Sequence, residues 1–105
     1  MAGWGDNEGN VVKQLGRSLN AIRQNVEQED VEGVANHTRL MVAICAPYVK
    51  DRTAYALPDR DADRDIVFSR CMEIVELVLI EMSDKGIYAW KDTELGDGTD
   101  LALGD

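Results

Sequence analysis

Four carboxylates in the second half of the chain have a spacing that could bind a divalent metal. They form two pairs, Glu73-x-x-Glu76 and Glu81-x-x-Asp84. On a helix that turns 100° per residue, the last three fall at about −60°, 80° and 20° from Glu73, so all four share one broad face. Clustered carboxylates suit magnesium or manganese. Such a face is also the ordinary solvated side of a helix, and we expect these side chains to be solvent-exposed.

The letters of the two pairs resemble the metal-binding motifs of all-α nucleotide pyrophosphatases of the MazG kind, which have E-x-x-E on one helix and E-x-x-D on another. The resemblance implies a metal-dependent nucleotide hydrolase with these carboxylates as ligands. It covers only four positions, and here both pairs lie on one continuous predicted helix, so they would not approach a metal from two sides. The hydrolase is therefore kept as an alternative, and we expect no catalytic residue, no metal and no cofactor.

Two large aliphatic side chains interrupt this polar face. Leu77 falls at about 40° and Ile80 at about −20° from Glu73. Apolar side chains among carboxylates favour a protein contact, although single exposed apolar residues are common on monomers. We predict a partner-binding surface of Leu77, Ile80, Glu73 and Glu76. Trp4 lies between two glycines and either docks on its own bundle or anchors a partner, because tryptophan is favoured at binding hot spots.

The other reactive residue types form no catalytic or metal-binding pattern. His37 is the only histidine, and a single histidine without nearby cysteines makes no zinc site. We expect it to be partly buried and structural. Cys45 and Cys71 lie among apolar residues, which predicts buried thiols, and whether they pair stays open. No glycine-rich phosphate-binding motif occurs.

The charge balance narrows the possible partners. The 105-residue chain has 20 acidic and 11 basic residues and a net charge of −9. This charge disfavours binding to nucleic-acid phosphates and to anionic membranes. Acidity ordinarily serves solubility; the alternative is an acidic inhibitor that mimics nucleic acid and binds a basic protein. With no signal-peptide pattern and no transmembrane pattern, we expect a cytoplasmic protein.

The elements that position these residues are predicted to be helices. From Asn10, the expected N-cap, apolar residues recur at spacings of three and four, at Val12, Leu15, Leu19, Ile22 and Val26. A short connection follows, and Asp30 is expected to cap the second helix, which makes the pair an antiparallel hairpin. Pro47 is expected to end that second helix near Cys45, because proline removes a backbone donor.

The longest apolar run, residues 66–82, predicts a third helix. We expect this helix to start at Asp59 or Asp61 and to stop at Gly86, where a left-handed residue would fold Ile87 back onto the helix. It would then have about 25 residues and be longer than either helix of the hairpin, at 1.5 Å per residue. The hairpin could not cover all of it, so we expect a homodimer.

These expectations define an all-α fold, a helical hairpin plus a long third helix in a three- to four-helix bundle. The predicted organisation is a flexible N-terminus (1–9), a bundle domain (10–90) and an acidic, mobile tail (91–105). The predicted function is a small non-catalytic protein-interaction or assembly module, whose partner is another protein or a second copy. Such small acidic chains are frequent among phage, plasmid and accessory genes, and we expect an origin of that kind.

Overall fold

The protein is helical and contains no strand over the residues that the computed structural model describes, 6–87, with side chains described from Asn10 onward. Three α-helices pack together, α1 (Asp6–Glu27), α2 (Val31–Cys45) and α3 (Arg64–Asp84). Two 3₁₀ turns, Ala46–Tyr48 and Arg52–Tyr55, lie between α2 and α3. The predicted all-α fold is confirmed. None of the described helices combines the length and the apolar character needed to cross a membrane.

α1 begins four residues earlier than predicted. It starts at Asp6, so Asn10 lies inside the helix and the prediction that Asn10 is the N-cap is wrong. Glycine and asparagine cost a helix only about 1 kcal/mol or less each, which is too little to end it. The predicted apolar stripe is confirmed. The stripe consists of Val12, Leu15, Leu19, Ile22 and Val26. Its three central residues are fully buried, and the valines at its two ends pack against the same core cluster.

The turn between α1 and α2 combines a helix ending and a helix cap. Glu29 has a φ of 57°, and the N–H groups of Glu29 and Asp30 donate to the carbonyls of Val26 and Asn25 at 3.0 and 2.8 Å. This is the Schellman pattern, with Glu29 where glycine is usual. Asp30 then caps α2 by accepting from the Gly33 N–H at 3.0 Å, as predicted.

A half-buried histidine fastens this turn. His37 Nδ1 lies 2.9 Å from the side-chain amide of Asn25 and 3.0 Å from the Gly33 carbonyl oxygen. A Cβ at position 33 would lie 2.6 Å from side-chain atoms of both Asn25 and Asp30, so a glycine is needed for this close approach. The expectation of a partly buried, structural His37 is confirmed.

Proline ends α2 as predicted, and the segment that follows contains both 3₁₀ turns. α2 stops at Cys45 and continues as the 3₁₀ turn that contains Pro47. The second 3₁₀ turn is capped by Asp51, which accepts from the N–H and the hydroxyl of Thr53 at 3.1 and 2.6 Å. This turn places Tyr55 in the core, where it is only 8% exposed.

α3 starts later than predicted and is no longer than α1. Its N-cap is Asp63, which accepts from the Asp65 N–H at 3.0 Å. The predicted start at Asp59 or Asp61 is wrong, because a turn closed by the Ala62 N–H and the Asp59 carbonyl at 3.0 Å precedes the helix. α3 has 21 residues and α1 has 22. The length of α3 therefore gives no reason to expect a dimer.

The end of α3 matches the prediction. Gly86 has a φ of 81°, its N–H donates to Ser83, and the Ile87 N–H donates to the Met82 carbonyl at 2.8 Å. Ile87 is 4% exposed and packs in the same core cluster as Met82. The predicted tail (91–105) lies outside the described residues.

The core lies between the three helices and covers most of the apolar surface of α3. The six buried apolar residues of α3 are Cys71, Ile74, Val75, Val78, Leu79 and Met82. The main cluster joins them to the α1 stripe, to Met41 and Cys45 of α2, and to Tyr55. Cys71 belongs instead to a smaller cluster with Val34 and Ala35. Both cysteines are buried and free.

Candidate functional site

The predicted partner-binding residues of α3 keep exposed surface on the side of the helix opposite its buried residues, here called the outer face. Glu73 and Ile80 are exposed there, and Glu76 and Leu77 are half-buried. We define this outer face by the residues within about 60° of Glu73 at 100° per residue that retain exposed surface, namely Ile66, Ser69, Arg70, Glu73, Glu76, Leu77, Ile80 and Asp84. The buried residues of α3 occupy the opposite side. Trp4, the remaining predicted contact residue, lies outside the described residues.

The outer face contains two of the three large apolar side chains that are exposed in the described part of the chain. Ile66 is 57% exposed and Ile80 is 47% exposed; the third, Leu40, lies on α2. Leu77 is half-buried and packs against the core. Sequence reasoning identified Ile80 but missed Ile66, although the same angular calculation places Ile66 at about 20° from Glu73.

Carboxylates border these apolar residues. Glu73 and Asp84 are exposed and Glu76 is half-buried. Arg70 contacts Glu73 at 2.8 Å, but the same guanidinium also donates to the carbonyls of Ala54 and Ala56 at 2.6 and 3.3 Å. Arg70 is therefore held toward the second 3₁₀ turn, and the face stays acidic.

The expectation that all four carboxylates of α3 are solvent-exposed is wrong for Glu81, which is 8% exposed. The Tyr55 hydroxyl donates to one of its carboxylate oxygens, and the Lys50 N–H donates to the other at 2.9 Å. A buried carboxylate is expensive unless hydrogen bonds satisfy it. Here the donors come from the segment between α2 and α3, so Glu81 fastens that segment to α3.

Burial also sets the acidity of the groups near Glu81. Burial, and then the hydrogen bond to Glu81, raise the pKa of the Tyr55 hydroxyl to about 12. Burial alone raises the pKa of the Cys45 thiol to about 12. Both groups therefore stay protonated near neutral pH. A thiol that stays protonated is a poor nucleophile, since the thiolate is the reactive form.

The structure does not bring the four carboxylates of the hydrolase alternative to one point. Glu81 is turned inward to Tyr55, whereas Glu73 contacts Arg70 at the surface. Among the described side chains, those of residues 10–87, no group of three or more histidine, cysteine, aspartate or glutamate residues is placed to hold a metal ion. The four carboxylates of α3 therefore do not form a single cluster.

Comparison with protein families, with curated proteins and with solved structures found no match to this chain.

Proposed function

We propose that the chain is a non-catalytic protein-interaction module that binds a basic, amphipathic helix of a partner protein on the outer face of α3. The observation that carries the proposal is the exposure of Ile66 and Ile80, at 57% and 47%, on one face of a helix whose other large apolar residues are buried or half-buried. Exposed apolar groups bordered by polar residues are typical of interaction sites.

The spacing of the two isoleucines fits a helical partner. They are 14 residues apart, which is roughly 21 Å along the axis, and they differ by only about 40° in direction. Leu77 lies between them and is half-buried. A partner helix of about four turns could contact all three, since amphipathic helices bind through apolar residues spaced three and four apart.

Charge favours a basic partner over a second copy. The outer face carries three carboxylates, Glu73, Glu76 and Asp84, against one arginine, Arg70, and the chain has a net charge of −9. Two such chains repel each other, whereas lysine or arginine beside the apolar contacts of a partner would be attracted. The homodimer was predicted because α3 was expected to be longer than the helices that cover it. Since α1 is as long as α3, this reason for a homodimer no longer applies.

The acidic inhibitor that mimics nucleic acid is the neighbouring alternative. A mimic of phosphates needs negative charge but no exposed aliphatic side chains, and Ile66 and Ile80 support the helix-binding proposal instead. The two differ in salt dependence. Purely ionic binding should almost vanish at high salt, whereas binding with an apolar component should weaken but persist.

The test is an NMR titration of the ¹⁵N-labelled chain with a synthetic amphipathic helix of about 18 leucine and lysine residues, a length of roughly 27 Å. We expect saturable shifts in amides of the outer face. The double variant Ile66→Lys/Ile80→Lys should weaken binding by at least about tenfold, because two apolar contacts are lost and like charges are added. Leu40→Lys, at 49% exposure on α2, is the matched control and should bind normally.

Several results would overturn the proposal. Binding that is absent, or equally weakened by Leu40→Lys, would remove the outer face of α3 as the site. Light scattering gives a separate check: a dimer that becomes monomeric in the double variant would assign this face to a second copy instead of a basic helix. Circular dichroism should show unchanged helix content, since Ile66 and Ile80 are largely exposed.

A further inference from the structure

A cleft on another side of the molecule gathers three arginines from three different parts of the chain. Its volume is about 300 Å³, at the lower end of the range for ligand sites. Arg39 comes from α2, Arg60 from the connecting segment, and Arg64 is the first residue of α3. We infer that this cleft binds a small organic anion, a phosphate or carboxylate group attached to an apolar body.

The arginines keep free hydrogen-bonding capacity. Arg39 donates to the Asn36 side chain at 3.2 Å and Arg64 to the Glu29 carbonyl at 3.2 Å. Each guanidinium has five N–H donors, so each contact leaves donors for a ligand while it orients the group. No salt bridge joins these three arginines to any of the described side chains, those of residues 10–87.

This lack of ion pairing is notable because the chain is acidic and two carboxylates line the same cleft. Glu32 and Asp59 are both part of its wall, and the chain has 20 acidic against 11 basic residues. Counting side chains, three arginines and two carboxylates leave the cleft with one excess positive charge. Guanidinium groups bind phosphate and carboxylate in a bidentate manner, which suits a planar or tetrahedral oxyanion.

Apart from Asn36, the rest of the lining is apolar, which is why an organic anion fits better than an inorganic one. Small and aliphatic side chains line the cleft beside the arginines, namely Val31, Ala35, Pro58, Ala62 and Val67. Ala35 is buried in the smaller core cluster and Val67 packs against it. The five apolar lining residues, here called the apolar floor, are therefore continuous with the packed interior. A hydrocarbon or aromatic body would contact this floor while its charged group met the arginines.

The experiment is an NMR titration of the ¹⁵N-labelled full chain with phenyl phosphate, benzoate and inorganic phosphate in parallel. We expect phenyl phosphate or benzoate to give saturable shifts in amides of residues 31–36 and 60–64. The tighter of the two identifies the oxyanion. Inorganic phosphate should bind at least about tenfold more weakly, because it cannot contact the apolar floor. Equal binding of all three, or no saturable binding, would overturn the inference.

Variants test whether the arginines are responsible. Arg60→Gln should weaken binding by about tenfold, the loss expected for one charge-assisted contact. It should leave stability unchanged, since its side chain makes no hydrogen bond or ion pair within the described part of the chain. The single variant Arg64→Gln should weaken binding more than Arg60→Gln does. Arg17→Gln removes an exposed arginine that lines a different groove; if it weakens binding as much, the effect is general charge and the cleft is excluded.

Discussion

The Tyr55 hydroxyl donates a hydrogen bond to the buried carboxylate of Glu81, across 26 residues of chain. Glu81 also accepts the Lys50 N–H at 2.9 Å. One carboxylate thus holds two points of the segment between α2 and α3. This segment has short 3₁₀ turns and no α-helix, so it depends on such contacts for its position.

Removing the Tyr55 hydroxyl should destabilise the fold. Tyr55→Phe leaves a buried carboxylate oxygen without its donor, which should lower the free energy of unfolding by about 1–3 kcal/mol. Urea denaturation followed by circular dichroism measures the change. Glu73→Gln is the control, because Glu73 is exposed and its ion pair with Arg70 is a surface pair; it should cost less than about 1 kcal/mol. An equal effect of the two variants would contradict the assigned role of Glu81.

Stability should fall at alkaline pH because of the same tyrosine. Folding raises the pKa of Tyr55 from 10.0 to about 12, so the folded state favours the neutral hydroxyl. This stabilising contribution is complete below pH 10 and is lost as the pH rises through 12. Cys45, raised from 9.0 to about 12, acts in the same direction from pH 9 upward.

The measurement is the free energy of unfolding at several pH values from 8 to about 11.5, the window in which these groups titrate. The decrease should be smaller in Tyr55→Phe than in the unaltered chain. Tyr48→Phe, which removes the hydroxyl of a half-buried tyrosine elsewhere, should retain the full decrease. A parallel loss of stability in all three proteins would show that Tyr55 is not the titrating group.

Local signals in the sequence predicted most of the fold. The apolar stripe of α1, the Asp30 cap, the proline that ends α2 and the glycine that ends α3 each act within a few residues of where they occur. These are short-range effects, and the structure confirms all four.

Two of the wrong predictions, the start of α3 and the exposure of Glu81, have physical causes that are not contained in the local sequence pattern. Asp59, Asp61, Asp63 and Asp65 are alike as helix caps, and the path of the preceding turn decides that Asp63 is used. Glu81 lies at about 80° from Glu73, at the edge between the exposed and buried sides of α3. Its burial is decided by Tyr55, whose position depends on the distant packing of the 3₁₀ turn.

Replacing a buried hydroxyl should stabilise the protein. Thr38 is fully buried, and its hydroxyl finds no hydrogen-bond partner among the described residues. It lies near the Cys71 thiol, a weak hydrogen-bonding group. Thr38→Val keeps the shape and removes the unpaired polar atom, so the free energy of unfolding should rise by about 1 kcal/mol.

Thr38→Ser is the matched control for this prediction. It keeps the hydroxyl and removes a buried methyl group, so it should destabilise the fold by about 1 kcal/mol. Thermal denaturation of both variants gives the comparison. If Thr38→Val lowered the melting temperature, the hydroxyl would have to be making a favourable interaction in the core.

α1 and α3 both end in a Schellman motif, but the residue with positive φ is a glutamate after α1 and a glycine after α3. This difference predicts a stabilising substitution. Gly86 and Glu29 both have positive φ, 81° and 57°, but only glycine adopts this conformation without steric cost. A side chain in the left-handed region costs about 1–2 kcal/mol, and glycine loses about 0.5–1 kcal/mol through the greater freedom of the unfolded chain. Glu29→Gly should therefore raise the free energy of unfolding by up to about 1 kcal/mol.

Gln28→Gly is the control for Glu29→Gly, because Gln28 is the neighbouring exposed residue and its φ is not positive. With no steric cost to relieve, it should lower the free energy of unfolding by about 0.5–1 kcal/mol. Urea denaturation of the two variants should thus move the midpoint in opposite directions. The contacts of Asp30 and His37 involve other residues, so the turn between α1 and α2 should keep its geometry. A loss of stability in both variants would mean that the Glu29 side chain contributes more than its backbone conformation costs.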